Sequence, residues 1–151
     1  MEYVIEQVEL PEQQAAVVMG RSPVEGIAEF LAGAFTEVMT VLPALQLTPV
    51  GPPFALYDPA DSPVFGVVGG FPCDGSVSPV GRVASYALPA GPALQTIHVG
   101  PYEDVAAAYH AIEAYLAEHG LTPAGPPWES YLDEPGVAEP RTVVTWPVRP
   151  A

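Results

Sequence analysis

A segment of eleven residues occurs twice in this chain, and this repeat constrains the fold more than any other feature. The two copies, residues 47–57 (LTPVGPPFALY) and 121–131 (LTPAGPPWESY), align without a gap and share seven identical positions. Each copy ends in four residues typical of the start of a strand, preceded by a Gly-Pro-Pro segment that excludes regular structure. The repeat therefore predicts a duplicated structural unit.

Other landmarks extend the duplication along the chain. Trp146-Pro147 repeats Phe71-Pro72 at nearly the spacing of the two copies. A helix is expected to begin at Ser22-Pro23, with Ser22 as its N-cap, and a second one at Pro101, ending at Gly120. Strand patterns flank both helices, so each half, about 1–72 and 82–149, is predicted to be β-β-α-β-β.

The fold class that follows is α+β. Two helices cannot cover both faces of an eight-stranded sheet, so we expect antiparallel strands with both main helices on one side. The length of 151 residues suits a single domain that spans the whole chain. A pseudo-twofold relation between the halves would leave a central groove for a ligand.

The charge composition argues against nucleic acid as a direct partner. The chain has 18 acidic residues and 4 basic residues, all arginine, which gives a formal net charge of −14. Binding to DNA or RNA needs a basic surface for the phosphates. An acidic surface attracts cations instead, although the same charge also serves solubility.

The sequence shows no cofactor motif, phosphate loop or nucleophile elbow. Cys73 is the single cysteine, which excludes an internal disulfide, and the three histidines lack the spacing of a zinc site. No signal peptide or membrane-spanning run is evident, so we predict a cytoplasmic protein with no membrane partner.

Glu129 is the first candidate for chemistry. Because side chains alternate along a strand, Glu129 and Tyr131 face one way and Trp128 and Ser130 the other. The first copy of the repeat has Ala55 at the position of Glu129. A carboxylate among aromatic residues and prolines would be partly desolvated, and it could select a cationic ligand or act as a general acid or base. An edge-strand glutamate that points to solvent remains the alternative.

Aromatic side chains form the second group of candidates, because their faces attract cations and stack on planar ligands. Tyr57 and Tyr131 occupy equivalent places in the two copies and would lie on opposite sides of one groove. Each other candidate is also compatible with a place in the core. These further residues are Trp146, Tyr102, Tyr109, His98, Phe35 and Met39.

Three segments of the second half resemble the GyrI-like small-molecule-binding domain, the effector-binding domain of AraC- and MerR-type multidrug-responsive regulators. They are residues 98–102 (HVGPY) followed by a helix, residues 125–135 (GPPWESYLDEP), and residues 139–148 (EPRTVVTWPV). The resemblance implies a duplicated fold with a central groove that binds bulky, hydrophobic, often cationic aromatic compounds. It also places a glutamate on the groove floor, on the strand that Glu129 occupies here.

The regulators carry a helix-turn-helix segment ahead of this domain, whereas here the domain starts at Met1, so we expect a stand-alone form. The first functional hypothesis is a protein that senses or sequesters such compounds without enzymatic activity. The second is a hydrolase of reactive cyclopropane-bearing DNA-alkylating compounds, with Glu129 as general base and Tyr131 or Tyr57 orienting the substrate. The third is an acidic inhibitor that binds an unknown protein partner.

Overall fold

The computed structural model describes residues 3–58, 64–133 and 136–151. These residues form antiparallel strands and two α-helices, which confirms the predicted α+β class. The expected loop 58–63 and the turn 133–136 fall largely outside the described residues. The elements are β1 Glu6–Leu10, β2 Gln13–Pro23, α1 Ile27–Ala44, β3 Phe54–Asp58, β4 Val64–Pro72, β5 Val83–Leu88, β6 Gly91–Val99, α2 Ala106–His119, β7 Leu121–Pro123, β8 Trp128–Tyr131 and β9 Arg141–Pro150.

Residues Glu12–Leu88 form one compact unit. Its strands pair antiparallel in the order β3-β4-β2-β5. Helix α1 packs one face on this sheet, because its buried residues recur at the spacing of one helical face. The core of the unit consists of Ala16, Val18, Ala34, Val38, Leu42, Cys73, Val77 and Val83.

Residues Met1–Pro11 and Pro89–Ala151 form the other compact unit. Its strands pair antiparallel in the order β1-β6-β9-β8, and the short β7 pairs with β9. Strand β7 was not predicted, because a three-residue strand that ends in proline has too little pattern to detect. Helix α2 covers the core of this unit, which consists of Leu94, Ala108, Ile112, Leu116, Val144 and Val148.

These units differ from the predicted halves 1–72 and 82–149. Strand β1 pairs with β6, with Glu6 opposite Gln95, and strand β5 pairs with β2, with Gln13 opposite Leu88. A strand has only two edges, and those of β2 are taken by β4 and β5. Strand β1, the first strand of the predicted first half, therefore belongs to the unit that contains α2. Strand β5, the first strand of the predicted second half, belongs to the unit that contains α1.

The predicted N-cap at Ser22 was wrong. Strand β2 runs on through Ser22, which pairs with Phe65, and the Ser22 hydroxyl donates to the carbonyl of Pro23 at 2.8 Å. A short 3₁₀ turn, Val24–Gly26, then leads into α1, and no side chain caps either element. The predicted end of α2 is confirmed, because Gly120 adopts the left-handed conformation with φ 64°.

By length and composition, the stretch Val24–Ala44 could cross a membrane. Its apolar side chains at Leu31, Ala34, Val38 and Leu42 are buried, and three of them belong to the core of their own unit. A single stretch of this kind, packed on a sheet along one face, is typical of the core helix of a folded domain.

Candidate functional site

The buried residues of α1 and α2 occupy equivalent positions, although the sequences of the two helices differ. Three buried positions of α1 correspond to three buried positions of α2, at the same spacing along the chain as the two copies of the eleven-residue repeat. The pairs are Ala34 and Ala108, Val38 and Ile112, and Leu42 and Leu116. Each unit can therefore be compared with the other, position by position.

Glu129 lies in the interior of its unit, beneath α2, with only 7% of its surface exposed. Its cross-strand partner on β9 is Val144, a core residue that packs with Ala108 and Ile112 of the helix. Cross-strand partners share one face of a sheet, so the carboxylate points toward α2. This position excludes the alternative of an edge-strand glutamate that points to solvent.

Two tyrosine hydroxyls bind this carboxylate. Tyr109 of α2 donates to Oε2 at 2.7 Å, and Tyr131, two residues along β8, donates to Oε1 at 3.0 Å. Burial raises the pKa of Glu129, while the two tyrosine hydrogen bonds and the electrostatic influence of His98 oppose that rise. The Glu129 carboxyl is therefore held by neutral donors at a pKa above its usual range.

Two arginines of the described residues pair with acids at other places. Arg141 binds Asp133 through two side-chain hydrogen bonds of 2.9 and 3.0 Å, which lowers the pKa of Asp133. Arg82 makes an ion pair with Glu37. Among the groups that shift the pKa of Glu129, none is an arginine.

Aromatic rings continue the site on both sides of the carboxylate. The Tyr109 ring meets Trp146 edge to face, with centroids 6.0 Å apart and planes at 73°. Tyr102 meets Tyr131 in the same way at 5.5 Å and 86°. Since Tyr102 is 39% exposed, this aromatic series reaches from the surface to the buried Glu129. Edge-to-face packing is a favourable arrangement for such pairs.

His98 takes part in this site mainly through its hydrogen bonds. The imidazole is buried, and its Nε2 lies 2.9 Å from the carbonyl of Pro101. A carbonyl can only accept, so Nε2 carries a proton, and Nδ1 shares a hydrogen bond of 2.8 Å with the Tyr3 hydroxyl. His98 thereby fixes the backbone immediately before Tyr102. Tyr3 was missed in the sequence, because no local pattern relates it to His98.

Three of the predicted site residues belong to the unit Glu12–Leu88. Phe35 of α1 meets Phe71 edge to face at 5.7 Å and 70°, and Met39 is 45% exposed. Tyr57 lies half-buried on β3 opposite Val67. The role of these three residues in ligand binding stays a prediction, as does the central groove.

The unit with Glu129 has polar groups where the other unit is apolar. By helix position and strand register, Tyr109 corresponds to Phe35, Glu129 to Ala55, Thr142 to Val67 and Trp146 to Phe71. Ala55 and Val67 are fully buried, with 0% and 1% exposure. The fold is thus compatible with apolar residues at all four positions. Thr142 was missed in the sequence, and its alternation with Trp146 along β9 was the pattern that could have indicated it.

A shallow depression of about 370 Å³ lies elsewhere in this unit, along the ends of β1, β6, β7 and β9. Its lining consists of Gln7, Val8, Glu9, Pro92, Ala93, Leu121, Val148, Arg149 and Pro150, and does not include Glu129. Within residues 3–58, 64–133 and 136–151, no group of three histidine, cysteine or acidic side chains could hold a metal ion.

Comparison with known proteins identifies the family of the chain. A model of the family described as GyrI-like small molecule binding domain matches residues 64–149. A search of the curated proteins found no match.

The structure resembles several solved structures, although the sequence identities are low. The C-terminal domain of EcmrR superposes with a TM-score of 0.83 at 23% identity, over 100% of both chains. EcmrR in its complex with DNA gives 0.81 at 24% identity over 99% of this chain, which spans 58% of that one.

Two further neighbours are more distant. SAV2435 bound to tetraphenylphosphonium gives a TM-score of 0.62 at 15% identity, over 99% of this chain and 94% of that one. A hydrolase from Listeria innocua gives 0.71 at 15% identity, over 96% and 91%. These likenesses establish the fold.

Proposed function

Because the chain belongs to the family of GyrI-like small-molecule-binding domains, we propose that it binds bulky aromatic compounds and prefers cationic ones, with Glu129 as the group that selects charge. The proposal concerns the ligand-binding step, by which the protein would sense or sequester such compounds. Affinity would come from burial and aromatic contacts, and selectivity from the carboxylate.

The observation that carries this proposal is the burial of Glu129 beneath α2 with two neutral donors. A buried carboxylate loses much of its hydration, and tyrosine hydroxyls replace only part of it. A cation at this place would stabilise the ionised form more strongly than a hydroxyl does. The corresponding Ala55 indicates that the fold itself has no need of an acid here.

Two further observations support an aromatic cation as the ligand. Tyr102, Tyr131, Tyr109 and Trp146 offer ring faces and edges next to the carboxylate, and cation–π contacts add to the Coulomb attraction. Among the structural neighbours, SAV2435 has bound tetraphenylphosphonium, which carries one positive charge within four phenyl rings. A ligand that reaches Glu129 would displace one or both tyrosine hydroxyls.

A matched pair of fluorescent probes tests the proposal. N-methylacridinium is a permanent cation, and acridine is a neutral molecule of nearly the same shape at pH 8. We expect Glu129→Gln to lower the affinity for N-methylacridinium by about 10- to 100-fold, because one charged contact is lost. The affinity for acridine should fall by less than about threefold. Glu113→Gln, on the exposed face of α2, is the control. Equal losses for both probes would exclude charge selection by Glu129.

The raised pKa of Glu129 favours a second candidate function, that of a hydrolase of electrophilic aromatic compounds. A carboxylate with a raised pKa is a better general base, and Tyr131 could orient the substrate through its hydroxyl. Water would attack a carbon of a cyclopropane conjugated to a carbonyl and pass its proton to Glu129. The ring C–C bond would break, its electron pair would move onto the carbonyl oxygen, and that oxygen would take up a proton from water. Mass spectrometry after incubation with a cyclopropane-bearing aromatic compound tests this. A hydrated product that Glu129→Gln no longer forms would support it, and unchanged compound would exclude it.

A further inference from the structure

Two buried polar atoms near Glu129 have no hydrogen-bond partner within the described part of the chain. They are Oγ1 of Thr142 and Nε1 of Trp146, both on β9. Thr142 has no exposed surface. Nearly all buried polar side-chain atoms in proteins are paired, so two orphans on one strand require an explanation.

Both residues lie on the sheet face of Glu129. Thr142, Val144 and Trp146 alternate along β9, and the middle one of the three is the cross-strand partner of Glu129. Thr142 and Trp146 are therefore the two diagonal neighbours of Glu129 on the adjacent strand. The Cα atom of each lies about 7–8 Å from that of Glu129. Contact between Trp146 and Tyr109, which binds the carboxylate, confirms that the indole faces α2.

The polar groups around these two atoms are engaged with other partners. The Thr96 hydroxyl donates to the carbonyl of Val4, and both ring nitrogens of His98 are hydrogen-bonded. The Thr145 hydroxyl accepts from Gln95 on the opposite face of the sheet. These neighbouring groups therefore do not pair with either atom in the described part of the chain.

The other unit shows that the fold does not need these polar atoms. Val67 takes the place of Thr142 and has the same shape without the hydroxyl, and Phe71 takes the place of Trp146. An edge-to-face contact between a helix ring and a strand ring occurs in both units, with ring centroids 5.7 and 6.0 Å apart. The indole N–H and the hydroxyl are therefore additions to a packing arrangement that already works without them.

We propose that Trp146 forms a second polar anchor of the ligand site, which recognises a hydrogen-bond acceptor on the ligand. Thr142 lies on the other side of Val144, about 13 Å from Trp146 along β9, and would contact a different part of the ligand. The inference rests on the proposed function and narrows it. An indole N–H can only donate, so the group that binds it is an ether, carbonyl or hydroxyl oxygen or a ring nitrogen. The ligand class is thus an aromatic cation that also carries a hydrogen-bond acceptor, because Glu129 and Trp146 hold the two anchors at neighbouring diagonal positions of the sheet.

Tetraphenylphosphonium and its ortho-, meta- and para-methoxy derivatives on one ring test this proposal, because they differ only by an ether oxygen. In calorimetric titrations of the full chain, we expect at least one isomer to bind about 5- to 10-fold more tightly than the parent, the effect of one neutral hydrogen bond. Trp146→Phe should erase this preference, so that the parent and the isomers bind with equal affinity. Thr142→Val should leave the isomer that Trp146 prefers unchanged. Trp128→Phe, the same change on the opposite sheet face, should keep the preference.

The two tryptophans give a direct readout by NMR, since the chain has only two indole N–H groups. The Trp146 resonance, which is the indole signal that remains in Trp128→Phe, should move downfield with the preferred methoxy isomer and not with the parent. If Trp146→Phe does not fold, this shift still decides the question. Equal binding of parent and isomers, or a preference that survives Trp146→Phe, would overturn the anchor alone. If neither cation binds the wild-type protein, the proposed function fails with it.

Discussion

Tyr109 donates a hydrogen bond of 2.7 Å to Oε2 of Glu129, and this bond joins helix α2 to the sheet beneath it through a buried acid. At the corresponding positions of the other unit stand Phe35 and Ala55, neither of which can hydrogen-bond through its side chain. The same packing of helix on sheet therefore occurs once with a carboxylate inside it and once without. The stability of the two arrangements must respond differently to pH.

The substitution Glu129→Gln should stabilise the ligand-free protein at neutral and alkaline pH. Because folding raises the pKa of Glu129, the protonated carboxyl is the form that the fold favours. The stability due to this group is fully present below the pKa of the unfolded chain. It is lost as the pH rises through the higher pKa of the folded state. A glutamine stays neutral throughout, so its advantage appears only above that range.

Thermal unfolding of both proteins between pH 4 and 8 checks this. The difference in Tm, variant minus wild type, should be near zero at pH 4 and become increasingly positive toward pH 8. Glu113→Gln, exposed on α2, should show no such trend. A lower Tm for Glu129→Gln at pH 8 would show that a favourable partner of the carboxylate outweighs its burial.

Removal of either tyrosine hydroxyl should destabilise the protein when Glu129 is ionised. Tyr109→Phe and Tyr131→Phe each remove a donor to a carboxylate, a hydrogen bond worth about 1.5–3 kcal/mol, and keep the ring contacts with Trp146 and Tyr102. Urea denaturation at pH 8 measures the free energy of unfolding. In a double-mutant cycle, the cost of Tyr109→Phe should fall below about 1 kcal/mol in the Glu129→Gln background. An equal cost in both backgrounds would mean that the hydroxyl acts through another partner.

The alternation along β8 could be predicted from the sequence, and it placed Glu129 and Tyr131 on one face, as their hydrogen bond shows. The sequence could single out Tyr109 and Trp146 as candidates, but it could not predict that they contact each other. A helix residue and a strand residue meet only through tertiary packing. The repeat made their relation visible afterwards, since Phe35 and Phe71 form the same edge-to-face pair.

The sequence could not predict that β1 pairs with β6 and β5 pairs with β2, each in the unit of the other predicted half. Strand β1 carries the same alternation whether it pairs with β2 or with β6, and only the competition for strand edges decides between them. Ser22 misled the prediction for a similar reason, because its pairing with Phe65 extends β2 past a residue that prefers to cap a helix. The cytoplasmic location and the lack of a direct nucleic-acid partner stay predictions.

Two glycines should respond in opposite directions to substitution by alanine. A Cβ at Gly70 would overlap the carbonyl oxygen of Ala16 on β2, so Gly70→Ala must push two strands apart. We expect a loss of at least about 1–3 kcal/mol. Gly33 lies in an exposed part of α1, where an added Cβ would have no atom within 4 Å apart from the adjacent residues and backbone of its own helix. Gly33→Ala should therefore gain about 0.5–1 kcal/mol. Urea denaturation measures both, and a stable Gly70→Ala protein would contradict the register of β2 with β4.

The affinity for a permanent cation should rise with pH, because the cation binds the ionised form of Glu129. In the free protein, burial raises the pKa of this carboxyl, and a bound cation lowers it again. Between these two pKa values, binding releases a proton, so the affinity increases by at most tenfold per pH unit. It levels off once the pH exceeds the pKa of the free protein. Titration of N-methylacridinium between pH 4.5 and 8 measures this profile, since the probe itself does not titrate. Glu129→Gln should bind more weakly with a flat profile, whereas Glu113→Gln should reproduce that of the wild type. A pH dependence that survives in Glu129→Gln would assign the titration, and with it the charge selection, to another group.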